Sequence, residues 1–129
     1  MKKLLVILFI LFAASIASAQ TASISLNWTA VGDDSLSGTA VEYDLRWSTD
    51  STMLANNFLM CTRVDLVPAP HIVGTREHFI VTGLPSDTLL FFAIRVADER
   101  PNWSGISNIV RYRTPDVIPP ARVTDLAVE

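Results

Sequence analysis

Cysteine and lysine are almost missing from this chain. Cys61 is the only cysteine among 129 residues, so neither an intrachain disulfide nor a zinc site of the CxxC type can form. The two lysines, Lys2 and Lys3, lie at the N-terminus, and beyond residue 19 eight arginines stand against thirteen acidic residues, a charge of −5. This balance argues against nucleic acid or an anionic membrane surface as the main partner.

Beyond its N-terminus, the chain also lacks apolar runs long enough to span a membrane. The N-terminus has two lysines, an apolar run at Leu4–Ala14 and the small residues Ala17-Ser18-Ala19. This pattern predicts a secretory signal peptide over residues 1–19, because the apolar run is too short for a bilayer span. We therefore expect a secreted, extracellular or envelope protein that meets the membrane only through this peptide. An uncleaved N-terminal anchor is the alternative.

From residue 20 onward, the dominant pattern is period-two alternation of apolar and polar residues, and no segment has helical periodicity. Ser23–Thr29 and Val41–Trp47 alternate without a break, which predicts half-buried strands. His78–Thr82 and Ile109–Thr114 are further β-rich runs, and Thr88–Ala97 is apolar at nearly every position, as in the middle of a sheet. Short strands separated by turn residues predict an all-β sandwich or barrel.

The expected core consists of the inward-facing residues of these strands. The segment between the second and third strands has no clean period, and Asn56–Met60 is compatible with a helical turn or with an edge strand. Phe91 faces outward from its strand and is expected either under a covering segment such as residues 53–61 or on an exposed apolar face. The predicted core residues are Trp28, Tyr43, Leu45, Phe79, Val81, Phe92 and Ile94.

Four stretches together resemble a fibronectin type III domain of the kind found in secreted bacterial proteins. They are Ser25–Trp28 as strand B, Tyr43–Trp47 as strand C, Phe79–Pro85 as strand E with its exit, and Thr88–Asn108 as strand F with the F–G loop. The resemblance implies an immunoglobulin-like antiparallel β-sandwich of about seven strands over residues 20–114. It also implies that the B–C and F–G loops lie at the same end.

The sequence departs from this pattern in three ways. Leu90 stands where the family usually has a tyrosine, so the tyrosine-corner hydrogen bond is absent or replaced. Only Gln20–Ala22 precede strand B, and a sheet edge left bare there could recruit a partner strand. Residues 115–129 resemble a linker and the first strand of a following module. The alternative is that the predicted strand at 123–128 folds back and supplies the missing strand.

The residues that usually carry catalysis are scarce. His71 and His78 are the only histidines, and neither accompanies a nucleophile-elbow motif. Both are expected to be surface histidines. Cys61 is expected to be a small buried hydrophobe rather than a reactive thiol. We therefore predict no catalytic residue and no enzyme.

The candidate ligand-binding residues all fall in the two predicted loops that share one end of the sandwich. They are Asp33 and Asp34 in the B–C loop, with Asp98, Asn102 and Trp103 in the F–G loop. The carboxylate pairs Asp33-Asp34 and Asp98-Glu99 could each begin a calcium site. The spacing of a dedicated calcium loop is missing, however, and aspartate is a common turn former. We predict no metal and no cofactor. Trp103 is expected either to contact a glycan or protein, or to pack at the base of its loop.

These features favour a non-catalytic β-sandwich module that serves as a spacer or as an adhesion or interaction domain in a larger extracellular or envelope protein. The expected partners are neighbouring modules of the same polypeptide, and an extracellular protein or glycan. The alternatives are a module that binds glycan or protein through the B–C and F–G loops, and an accessory domain of a secreted hydrolase.

Overall fold

The computed structural model describes residues 20–34 and 37–129, so the predicted signal peptide lies outside the described residues. Within this part, a two-stranded sheet (β1-β4) and a four-stranded sheet (β3-β2-β5-β6) are both antiparallel. The strands are β1 (Ala22–Thr29), β2 (Glu42–Ser48), β3 (Thr62–Arg63), β4 (Arg76–Leu84), β5 (Leu89–Ala97) and β6 (Val110–Arg113). This arrangement is consistent with the predicted all-β sandwich, with six described strands rather than about seven.

The main core lies between the two sheets. The apolar strand β5 runs between β2 and β6, as its sequence predicts, and Leu45 of β2 lies opposite Ile94 of β5. Leu45, Val81 and Phe92 are buried together there, which confirms three of the predicted core residues. Burying each such side chain stabilises the fold by about 1.5–3 kcal/mol.

A short helical layer, within the segment that shows no clear period in the sequence, covers the outer face of β2 and β5. Helix α1 (Ser51–Asn56) is followed by a 3-10 turn at Phe58–Met60. The Asp50 side chain caps the helix by accepting a hydrogen bond from the Thr52 amide at 2.8 Å. Fewer than two helical turns are too short to show a period of 3.6 residues in the sequence. Among the described residues, no helix is long and apolar enough to cross a membrane.

This layer forms a second apolar cluster on the far side of the four-stranded sheet. Leu54, Phe58 and Cys61 are buried against Ala93, and Phe91 packs beside them. The covering-segment alternative for Phe91 is therefore confirmed. Cys61 is a free, buried cysteine of this cluster, as the sequence predicts.

The Thr114 side chain connects the end of β6 to the turn between β4 and β5. Leu90 is fully buried in the core, while the Thr114 hydroxyl donates a hydrogen bond to the Pro85 carbonyl at 2.6 Å. The same hydroxyl accepts a hydrogen bond from the Thr88 amide at 2.9 Å. These bonds join the end of β6 to the turn between β4 and β5.

Residues 114–129 contain no strand, so the short strand predicted at 123–128 is not formed in this structure. The chain after Ile118 is exposed throughout, and Leu126 and Val128 are almost fully exposed. The assignment of residues 115–129 to a linker and a following module stays a prediction.

Candidate functional site

The predicted ligand-binding residues converge on a cleft at one end of the sandwich. We call it the loop-end cleft; its volume is about 310 Å³, and its walls come from the loop after β1, the end of β5 and the loop before β6. Four of the five predicted residues line it, namely Asp33, Asp98, Asn102 and Trp103. Asp34 is exposed and does not line the cleft; its backbone bridges to Ser37 within the same loop.

The position of Asp33 depends on a tight turn in the loop after β1. Gly32 lies against the backbone of Ser37, where a Cβ atom would clash with the Ser37 carbonyl and amide. Only glycine fits this close approach of two backbones. The loop is therefore held closed on itself and directs Asp33 toward the loop before β6.

Asp98 organises the loop before β6. Its carboxylate accepts hydrogen bonds from the Asn102 amide at 2.6 Å, from the Asn102 side-chain nitrogen at 2.6 Å and from the Arg100 amide at 2.9 Å. These bonds, those from Asn102 first, hold the pKa of Asp98 below its usual value. Asp98 and Asn102 thus build the loop together, which is the turn-forming role expected of aspartate.

A cluster of three carboxylates lies beside this turn. Oxygens of Asp33, Asp98 and Glu99 lie within 4.8 Å of one another. Desolvation, and then repulsion by Glu99, Asp34 and Asp98, raises the pKa of Asp33, and its buried Oδ1 has no hydrogen-bond partner among the described residues. Calcium takes six to eight oxygen ligands, so one oxygen from each of the three carboxylates supplies half of such a shell or less.

Trp103 closes one wall of the loop-end cleft. Its ring packs against the guanidinium group of Arg95, which lies 4.1 Å from the ring centroid, and the backbone at Trp103 bridges to Ala97. A cation over an indole face at this distance is an attractive contact. Trp103 is half-buried, so it packs at the loop base while part of its surface faces the cleft.

Arg95 connects Trp103 to a buried carboxylate on the outer face of the four-stranded sheet. Asp44 is 1% exposed, and its Oδ2 atom accepts a hydrogen bond from Arg95 Nη2 at 2.9 Å. Arg46 binds the other oxygen, with Nε 2.8 Å from Asp44 Oδ1. Burial alone would raise the pKa of Asp44, but the hydrogen bonds and charges of Arg46 and Arg95 hold it below its usual value.

The two arginines are also tied to the covering layer. Arg46 Nη1 donates to the Leu59 carbonyl at 2.8 Å and to the Cys61 carbonyl at 3.2 Å. The guanidinium groups of Arg46 and Arg95 each lie 5.4 Å from the centroid of the Phe58 ring. We call Asp44, Arg46, Arg95 and Phe58 the carboxylate hub. It links the sheet, the helical layer and, through Trp103, the loop-end cleft.

The histidines lie away from the loop-end cleft. His78 Nε2 is 2.6 Å from the Ser25 hydroxyl on the exposed outer face of the two-stranded sheet, so a hydroxyl and an imidazole do meet. Neither residue lines the loop-end cleft or the clefts between the sheets. His71 is bound to Glu77. The Glu77 carboxylate accepts a hydrogen bond from the His71 amide at 2.8 Å and lies 2.9 Å from His71 Nδ1.

Sequence reasoning missed the carboxylate hub and the His71–Glu77 contact. The alternation correctly places Asp44 and Arg46 on the face of β2 opposite Leu45, but it predicts an exposed polar face and the face is covered. One signal was present, since Arg95 is the only charged residue in the apolar run Thr88–Ala97. A lone charge in a central strand needs a buried partner, and the acidic residue of the neighbouring strand is the natural candidate.

Comparison with known proteins gives no relative for this chain: no family model, curated protein or solved structure matches it.

We predict that Asp44→Asn strongly destabilises the fold, because it leaves Arg46 and Arg95 beside a neutral group. Breaking a buried ion pair costs about 3–5 kcal/mol. The pKa of Asp44 is lowered in the folded chain, so the stability it contributes is present above the ordinary pKa of about 3.9 and is lost as the pH falls through the folded value. The deficit of the variant, measured by urea unfolding, should therefore shrink below about pH 4.

The matched control for this experiment is Glu42→Gln. Glu42 lies on the same face of β2, but its ion pair with Arg63 at 2.6 Å is about half exposed on both sides. An exposed pair contributes roughly 0–1 kcal/mol. Equal losses for the two variants at neutral pH would contradict the central role of Asp44.

We predict that Asp33→Asn raises the melting temperature at neutral pH. The folded-state pKa of Asp33 is raised, so its contribution to stability is full below its unfolded pKa and is lost as the pH rises through the folded value. Removing the charge relieves repulsion within the acidic cluster. The gain should vanish in acid, where the carboxyl group of the wild-type residue is protonated. Asp34→Asn, next in sequence but outside the cleft, serves as the control and should change the melting temperature less.

Proposed function

We propose that this chain is a non-catalytic β-sandwich module of a larger secreted, extracellular or envelope protein, where it acts as a spacer or interaction domain. The observation that carries the proposal is the position of Arg95. Its guanidinium group bonds the buried Asp44 in the middle of the sheet and stacks on Trp103 in the loop. A loop fixed in this way needs little ordering when it meets a partner, which favours binding.

The resemblance to a fibronectin type III domain is part of this proposal. The stretches assigned to strands B and E pair in one sheet as β1 and β4, and those assigned to C and F pair in the other as β2 and β5. Immunoglobulin-like sandwiches divide these strands between their sheets in the same way. The predicted signal peptide supports the extracellular or envelope location, and neighbouring modules of the same polypeptide are the proposed partners.

A second function, binding of a glycan or an extracellular protein at the loop-end cleft, is favoured by one specific observation. Asp33, Asp98, Asn102 and Trp103 line a single cleft of about 310 Å³. An indole face beside amide and carboxylate groups suits the apolar faces and hydroxyl groups of a sugar. In an accessory domain of a secreted hydrolase, the same cleft would hold the substrate near a catalytic part elsewhere.

The non-catalytic assignment is tested on Ser25 and His78, the one hydroxyl–imidazole pair within hydrogen-bond distance in the part of the chain that the structure describes. We expect the chain to hydrolyse p-nitrophenyl acetate no faster than its Ser25→Ala and His78→Ala variants. Ser25 and His78 lie on an exposed sheet face, and no third side chain orients the imidazole among the described residues. A burst of p-nitrophenol that disappears in Ser25→Ala would overturn the assignment.

Binding at the loop-end cleft is tested by affinity electrophoresis in gels that contain soluble neutral polysaccharides such as xylan or hydroxyethylcellulose. We expect one of them to retard the wild-type chain and the Tyr112→Ala variant, and not to retard Trp103→Ala. Tyr112 is the matched control because it is an exposed aromatic residue on β6, outside the cleft. Retardation of Trp103→Ala equal to that of the wild type, or of no protein by any probe, would count against this second function.

A further inference from the structure

One side of the sandwich is open along β1. A cleft of about 490 Å³ lies between β1 and β5 and continues beside the segment that leads into β6. A smaller cleft of about 120 Å³ shares five of its lining residues and extends it toward Leu26 and Val110. We call the two together the side groove. It adjoins the loop-end cleft, with which it shares Val31, Val96 and Ser104, but it extends along β1 and does not depend on the function proposed for that end.

The strand that borders the side groove is incompletely covered. Among the described residues β1 pairs only with β4, so its other edge presents unpaired backbone groups. The inward-facing Ile24, Leu26 and Trp28 of β1 are only half-buried, whereas Val81 and Leu84 of β4 are buried. The apolar side chains of β1 are therefore less completely covered than those two side chains of β4.

Trp28 supplies a second sign of a missing neighbour. Its indole Nε1 is buried and has no hydrogen-bond partner among the described residues, and the ring lines both parts of the side groove. A buried indole N–H usually finds an acceptor. The ring as a whole is only half-buried, so it leaves indole surface on the groove that a further strand would cover.

The tail of the chain has the properties of such a strand. Residues 119–129 make no hydrogen bond to the rest of the described chain, and they are exposed. In an extended conformation Leu126 and Val128 share a face with Thr124, while Asp125 lies on the opposite face. Leu126 is 92% exposed and Val128 is 99% exposed, so both would gain from burial.

We propose that residues 122–128 of a second copy of this chain add to the free edge of β1 as an extra strand. The Leu126 and Val128 side chains then enter the side groove beside Trp28 and Ile94. Addition of a strand to a sheet edge combines backbone hydrogen bonds with pockets for alternate side chains.

The direction of the strands favours a second copy over the chain's own tail. The tail leaves the sandwich after β6, at the end where Thr114 binds Pro85. Strand β1 begins at that same end, since Ala22 pairs with Leu84. The chain's own tail would therefore run beside β1 in the same direction, whereas the tail of another copy can run antiparallel. Antiparallel pairing is slightly more stable per residue.

Sedimentation velocity of the full chain, purified from its native source, tests this proposal. We expect self-association that grows with concentration and that Leu126→Lys weakens about tenfold or more, because one buried leucine is lost. The matched control is Val123→Lys, which adds the same charge on the opposite face of the strand and should leave association nearly unchanged. Both side chains are exposed in the single chain, so neither variant is expected to change the melting temperature.

Hydrogen exchange of the tail amides distinguishes the remaining outcomes. Protection that rises with concentration, together with association, supports the proposal. A monomer with protected tail amides would mean that the tail binds its own β1, which overturns the assignment to a second copy. A monomer with fast-exchanging tail amides at every concentration would overturn strand addition altogether. Equal weakening by Leu126→Lys and Val123→Lys would overturn insertion of Leu126 into the groove.

Discussion

The buried carboxylate of Asp44 is the interaction on which the rest of this structure depends. A charge with 1% exposure is tolerable only because two arginines bind its oxygens. Both arginines also contact other parts of the chain. Arg46 also holds the backbone of the covering layer at Leu59 and Cys61, and Arg95 also supports Trp103. One buried charge thereby sets the positions of a helix, a sheet face and a loop.

The two sheets differ in how many of their faces and edges are covered. The four-stranded sheet has the interior core on one face and the helical layer with the carboxylate hub on the other. The two-stranded sheet has one covered face, and its strand β1 has no neighbour beyond β4 within the described residues. Two-stranded pairs are only marginally stable by themselves. The free strand edge and the less covered strand therefore both belong to the two-stranded sheet, although both sheets contribute to the core.

Much of the fold followed from the sequence, because a period of two fixes which side of a strand faces inward. Ser23–Thr29 and Thr88–Ala97 were placed correctly by alternation and by their apolar content. The sequence left the helical layer as one of two alternatives, both for the cover of Phe91 and for the structure of Asn56–Met60, because six residues cannot show a helical period. For the candidate site, alternation predicted which face of β2 carries Asp44 but not that this face is buried. Its burial depends on the helical layer, whose packing on the sheet no local sequence pattern shows. Asp33, Asp98, Asn102 and Trp103 line one cleft because the topology places the loop after β1 and the loop before β6 at the same end of the sandwich.

Hydrogen bonds of Thr114 and Ser86 fix the segment that leaves β6 to the turn between β4 and β5. The tail continues from β6, and its first residues are held by Ser86, whose hydroxyl donates to the Pro115 carbonyl at 3.3 Å and accepts from the Val117 amide at 2.9 Å. A pull on the segment after Ile118 would meet these hydrogen bonds before it reached the β5–β6 ladder, because Val117 and Pro115 lie between that segment and β6. The ladder is thereby shielded from motion of the exposed residues that follow it.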